Sequence, residues 1–127
     1  MKFADTNVFL FALDRTAAES GAARRALEQG EGISFNAIVA SEFLHILSRA
    51  RGRREARRRL EDLVTTYRLL PVDPQTLRRS GEIHESFGLS ANDSILAAQA
   101  LGLEMELLSF DGDFRRVKGL RFEHLRA

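Results

Sequence analysis

Cysteine and tryptophan are absent from this 127-residue sequence, and proline and lysine each occur twice. Without cysteine no disulfide staples the fold, and no thiolate can serve as nucleophile or zinc ligand; a reducing, cytoplasmic setting is expected. No apolar run approaches membrane-spanning length. At the N-terminus only Lys2 precedes an apolar segment that Asp5 and Asn7 interrupt, so a signal peptide is not expected. Neither a G-x-x-x-x-G-K-[ST] phosphate loop nor a dinucleotide glycine fingerprint is present, which argues against a nucleotide-binding protein. The three histidines, His45, His84 and His124, have no triad or metal spacing and are read as surface or packing residues.

What is present is 44% hydrophobic and 29% charged, without repeats or low-complexity runs, and fits a single domain over residues 1–127. Five short apolar runs are expected to form strands, at about 1–4, 32–35, 68–72, 105–110 and 120–123. Helical spacing of apolar residues marks 15–29, 37–50, 53–66, 74–87 and 91–101, with Asp73 and Ser90 as N-caps, Pro74 at a first helical position, and Gly30, Gly52, Gly88 and Gly102 as stops. Alternating strands and helices predict an α/β fold with a parallel sheet covered on both faces. Residues 8–13 are apolar all round, so they are expected to be deeply buried or to meet another chain.

The net charge is only +1, but all except two of the 19 positive residues are arginine. Arg49, Arg51, Arg53, Arg54, Arg57, Arg58 and Arg59 crowd one stretch opposed by little but Glu55. Taken alone, this reads first as a solvated helix face and second as a track for RNA phosphates.

In open parallel sheets, ligands sit beyond the carboxyl ends of the strands. Asp5 directly follows the first predicted strand, and Asp111 follows the fourth in "LLSFDGDF". On the helix "AIVASEFLHILSRA", Glu42 borders the buried stripe of Ile38, Val39 and Ile46. Asp93 lies in the first turn of "SANDSILAAQA", in line with Leu96, Ala97 and Ala100. Each has an ordinary reading: Asp5 or Asp111 as a helix cap, Glu42 paired with an arginine, Asp93 against a helix dipole. As a group they point to chemistry. At an effective dielectric near 20, each close carboxylate pair costs on the order of a few kcal/mol, so a positive partner is required. Neither Lys2 nor Lys118 is an obvious one. Hard oxygen donors suit Mg²⁺ or Mn²⁺, ions able to activate water and hold a phosphodiester.

Taken in order, "FADTNVFLFALD", "ASEFLHIL", "GLSANDSILAAQA" and "LLSFDGDF" resemble a PIN domain, and most of all the VapC-type toxins of toxin–antitoxin pairs, over essentially the whole chain. The resemblance implies a three-layer α/β/α sandwich with a central parallel sheet of about five strands, and a Mg²⁺- or Mn²⁺-dependent endoribonuclease acting on RNA. It also implies neutralisation by a VapB-like antitoxin, and a homodimer. Asp5, Glu42, Asp93 and Asp111 would be the metal-binding acids, with Thr6 and Asn7 beside Asp5 and Ser109 in place of a common threonine. Asp113 is an alternative to Asp111. The apolar helix and its neighbours would then receive an antitoxin segment or a second protomer. A haloacid-dehalogenase-type phosphatase would need a second aspartate where Asn7 stands. The main alternative is a PIN-like module that binds RNA or protein without cutting.

Overall fold

A computed structural model describes all residues, 1–127. Five parallel strands form the sheet: β1 (Lys2–Ala4), β2 (Ile33–Phe35), β3 (Arg68–Leu69), β4 (Glu106–Ser109) and β5 (Phe122–His124), in the order β3-β2-β1-β4-β5. Six helices connect them: α1 (Thr6–Leu13), α2 (Ser20–Gln29), α3 (Ala37–Arg51), α4 (Arg53–Thr66), α5 (Pro74–Phe87) and α6 (Ala91–Leu103), with a 3₁₀ turn at Gly112–Arg116 before β5. Parallel strands joined by right-handed crossovers fix which face each helix covers. The chain steps from β1 to β2 to β3 in one direction, so α1–α4 pack together on one face; it then returns across β1 to β4, which sends α5 and α6 to the other. The result is the three-layer sandwich that the alternation of elements predicts.

The central strands are buried on both faces, as parallel strands require. Phe3, Ala4, Phe35, Leu107 and Leu108 are fully enclosed. The apolar run of α1 is enclosed only in part: Leu10, Phe11, Ala12 and Leu13 pack against the core but stay partly exposed. Val8 and Phe9 are buried, the Phe9 ring meets Phe35 and Tyr67 at 6.1 and 5.1 Å, and Phe11 meets Phe110 edge-on at 5.0 Å. Asn36, also fully buried, caps α3 by accepting from Val39 N–H at 3.0 Å. Its amide donates to Gln99 at 2.8 Å, and Gln99 in turn donates to the Pro71 carbonyl at 2.9 Å. This polar chain ties α6 to the loops after β2 and β3 and leaves none of these side chains unsatisfied.

Several expected boundaries differ, each for a physical reason. β3 stops at Leu69 instead of reaching 72, because Pro71 has no N–H to continue the ladder. β5 runs over Phe122–His124, one residue beyond the expected 120–123, and α2 begins only at Ser20 because turns and a bend occupy 15–19. Gly88 ends α5 in the left-handed region, φ 71°, as its sequence position implies. Gly102 does not end α6. The helix continues to Leu103, and Glu104 adopts the left-handed conformation, φ 54°. A side chain there is strained, so Glu104→Gly should stabilise the fold by about 0.5–1 kcal/mol, read as a raised urea midpoint at unchanged slope.

Candidate active site

The strand order reverses at β1, whose neighbours are β2 and β4; ligands in open α/β sheets bind beyond the strand ends at such a switch point. Asp5 leaves the end of β1 there and is only 6% exposed. It does cap α1, since Oδ1 accepts from Thr6 N–H at 2.7 Å, but its other oxygen faces away from the helix and accepts from Ser109 Oγ at 2.7 Å. The capping role and a functional one are therefore compatible. Ser109, fully buried at the end of β4, also accepts from the Asn7 amide at 3.2 Å and from Asp111 N–H at 3.0 Å. Asn7 Oδ1 accepts from Phe110 N–H at 3.3 Å. One hydroxyl thus fixes Asp5, Asn7 and the start of the Asp111 loop relative to one another.

Glu42 is half-buried on the second turn of α3 and is paired with no arginine. Its two oxygens accept from neutral donors on two other helices: Thr6 Oγ1 of α1 at 2.9 Å and the Asn92 amide of α6 at 3.4 Å. Asp93 does not cap α6; Ser90 does, accepting from Asp93 N–H at 3.2 Å, and the half-buried Asp93 carboxylate lies in the field of Asp111 and Glu42. Asp111 caps the 3₁₀ turn by accepting from Asp113 N–H at 2.9 Å. Asp113 is exposed and is held by Arg116 at 3.2 Å.

The electrostatics show which acids share a field. Burial, opposed by the Ser109 hydrogen bond and reinforced by the charges of Asp93 and Glu42, raises the Asp5 carboxyl from 3.8 to about 7. Burial also raises Asp93, to about 6, reinforced by the charge of Asp111, opposed by the Ser90 hydrogen bond, and reinforced more weakly by Glu42 and Asp113. Asp5, Glu42 and Asp93 thus share a field that Asp111 enters through Asp93, and Asp111 acts on Asp93 more strongly than Asp113 does. No lysine or arginine forms an ion pair with any of the four. The convergence stops short of a closed cage, because no three carboxylates are close enough to enclose an ion as they stand. Like charges brought closer without a cation would repel. In donor chemistry the set fits a hard divalent cation: oxygen donors only, with a buried negative charge that no protein cation offsets.

Two supports of the site are not legible as such in the sequence. Asn92 stands directly before Asp93 at a helix start, and that position is its only signal. Ser109 reads there as a conservative replacement, and nothing in the sequence connects it to Asp5, 104 positions away.

A parallel α/β/α sandwich with one buried acid and three half-buried ones near its topological switch point belongs among acid-edged α/β domains. The PIN domain family model matches residues 2–120, and the chain belongs to that family. No curated protein matches the sequence significantly. Among solved structures, the chain is similar to VapC20 from Mycobacterium tuberculosis, described as a sarcin-ricin loop cleaving toxin, at 20% identity and TM-score 0.85, with all of both chains covered. It is also similar to FitAcB from Neisseria gonorrhoeae (20% identity, TM-score 0.80, 98% of each chain) and to DNA-bound VapBC from Salmonella typhimurium (18% identity, TM-score 0.78, 97% of each chain). These similarities establish the fold. No helix is long and apolar enough to cross a membrane.

Proposed function

We propose that the chain is a divalent-metal-dependent endoribonuclease, the toxin of a type II toxin–antitoxin pair, with Asp5, Glu42, Asp93 and Asp111 as its metal-binding acids and Mg²⁺ or Mn²⁺ as the cation. The observation that carries this reading is Asp5 itself: a buried carboxylate under the field of two other acids with no protein cation to offset it. Membership of the PIN family and likeness to an RNA-cleaving toxin support the reaction class, and likeness to toxin–antitoxin complexes supports an antitoxin partner.

Bound at this edge, the cation supplies Lewis acidity that makes water nucleophilic near neutral pH and offsets charge on the phosphodiester. The protein's part is positioning. Ser109 and Thr6 N–H hold Asp5 in one rotamer, and Thr6 Oγ1 and Asn92 hold Glu42 between α1 and α6. Donors already locked in place reduce the ordering cost of ligation and keep the phosphate aligned. The ribose 2′-hydroxyl has no role in this scheme. Cleavage should therefore leave 5′-phosphate and 3′-hydroxyl ends, visible as ligatable 3′ ends; a 2′,3′-cyclic phosphate would contradict the mechanism.

The open spacing of the acids favours one second reading, a PIN-like module that binds RNA or protein without cutting. Incubating RNA with Mn²⁺ separates the two, because only the nuclease shortens it and only the nuclease is stopped by chelator.

A further inference from the structure

The arginine-rich stretch divides in two in the folded protein. Arg51 pairs with Glu55 at 3.8 Å and donates to the Leu13 carbonyl, and Arg59 pairs with Asp62 at 3.9 Å; these are structural contacts. Arg49, Arg53, Arg54, Arg57 and Arg58 have no carboxylate partner. Two of the unpaired ones, Arg49 and Arg53, line an open groove of about 580 Å³ along the outer face of α3, together with Ser41, Leu44, His45 and Ser48. No acid lines it.

The groove lies along the same helix that carries Glu42. Glu42, His45 and Arg49 stand at i, i+3 and i+7 on α3, a single stripe, so that Arg49 lies about 10 Å along the helix axis from the acid. The stripe then crosses Gly52 to Arg53 at the first residue of α4. Arg53 and Arg54 occupy the end of a helix where the backbone dipole disfavours cations, Gly52 supplies no side-chain cap, and only Glu55 is acidic in that turn. Stability alone does not explain two arginines there. An anion lying across that turn would be met by guanidinium forks and by free backbone N–H groups at once.

We propose that this groove seats the phosphodiester backbone of single-stranded RNA on one side of the scissile phosphate, with Arg49 and Arg53 each taking one phosphate. The proposal rests on the nuclease reading, since it assigns the groove to that site's substrate. The hydroxyls of Ser41 and Ser48 and the ring of His45, which precede Arg49 along α3, supply sequence-tolerant contacts on the same groove, and Leu44 gives it an apolar floor.

The test is fluorescence anisotropy with a fluorescein-labelled RNA of about twelve nucleotides, long enough to span the groove, titrated with Asp5→Asn protein in Mg²⁺ over a salt series. Arg49→Gln/Arg53→Gln in that background should weaken binding about tenfold near 0.1 M salt and flatten the log–log salt slope by about 1.4, two phosphate contacts at 0.7 each. Arg25→Gln/Arg126→Gln removes the same net charge from α2 and the C-terminal tail and should leave both quantities within about twofold of the parent. Should the glutamine pair prove poorly folded, Arg49→Lys/Arg53→Lys retains the charge and should keep the slope while losing part of the affinity. Binding and slope equal to those of the remote control would overturn the proposal, as would retention of RNA binding with loss only of a protein partner. Because binding is read without cleavage, a wild-type chain that binds RNA through the groove yet never cuts it sinks the nuclease reading alone. One that cuts normally with both arginines replaced sinks only the groove.

Discussion

Metal-free protein should lose stability as the pH rises from about 4 to about 7, and Asp5→Asn should remove most of that dependence. The sign follows from where the proton sits. Asp5 titrates at about 7 in the folded chain and near its ordinary 3.8 when unfolded, so between these values the native state holds a proton the unfolded chain has released. Stability then falls with rising pH across that window, is fully retained below it, and is flat above it. For a buried carboxyl raised from 3.8 to about 7, the loss is on the order of a few kcal/mol. Asp93, raised to about 6, adds a smaller loss in the lower part of the same window. Asp14 and Asp73 act in the opposite sense, because hydrogen bonds from Thr16 and Thr76 hold them below 3.8, but their effect lies at lower pH. Asparagine is close in shape to aspartate: its amide oxygen can still accept from Thr6 N–H, and its NH₂ in the place of Oδ2 can donate to Ser109 Oγ, so the variant should melt higher than wild type at pH 7 to 8. Chemical denaturation at pH 4, 5.5, 7 and 8 measures this. Mn²⁺ should restore wild-type stability above pH 7 and do little for Asp5→Asn, since a ligand that binds only the native state stabilises it. A wild-type profile that rises through this window would mean that Asp5 is ionised and already compensated.

Asp93→Asn should lower RNA cleavage by about a thousandfold or more at unchanged folding, an effect of the size expected when a charge that stabilises the transition state is removed. Its backbone N–H still donates to Ser90, so α6 keeps its cap. The same assay ranks the two candidates for the fourth acid. Asp111 is half-buried, and its charge reaches Asp93 more strongly than that of Asp113, which is exposed and engaged by Arg116. Asp111→Asn should therefore cost at least about tenfold more activity than Asp113→Asn. The asparagine side chain can still accept from Asp113 N–H, which separates the charge effect from loss of the cap. Equal losses from both variants, or none from Asp93→Asn, would remove the acids from the reaction.

Both predictions concern residues that stand out in the sequence alone, and the reason is periodicity. Asp5 breaks the most apolar stretch of the chain directly after a strand, and Glu42 and Asp93 border buried stripes at helical spacing, although on α3 that stripe is Val39, Phe43 and Leu47 and the expected Ile46 is exposed; local patterns of this kind survive in one dimension. The layers follow from the same alternation. The supports of the site do not survive. Ser109 reaches Asp5 only because β1 and β4 pair with Ala4 opposite Leu108, and Asn92 reaches Glu42 only because α6 returns to the edge where α3 begins. Such contacts depend on long-range register that no short window carries. The end of α6 escapes the sequence for a different reason. Glycine is the usual left-handed terminator, yet the chain passes Gly102 in helical conformation and turns at Glu104, where the cap N–H reaches the carbonyls of Ala100 and Leu101. Arginine spacing likewise gives no way to separate the paired Arg51 and Arg59 from the unpaired Arg49 and Arg53, since partners on neighbouring turns and loops decide it.

If Asp5, Glu42 and Asp93 are held apart by their own charge, a divalent cation should draw them together. The most direct test is Mn²⁺ binding at pH 7.5, followed by the electron paramagnetic resonance signal of the free ion. Wild type should deplete that signal in proportion to protein, and Asp5→Asn and Asp93→Asn should each leave it close to that of buffer. Equal depletion by all three proteins, or none by wild type, would contradict the account.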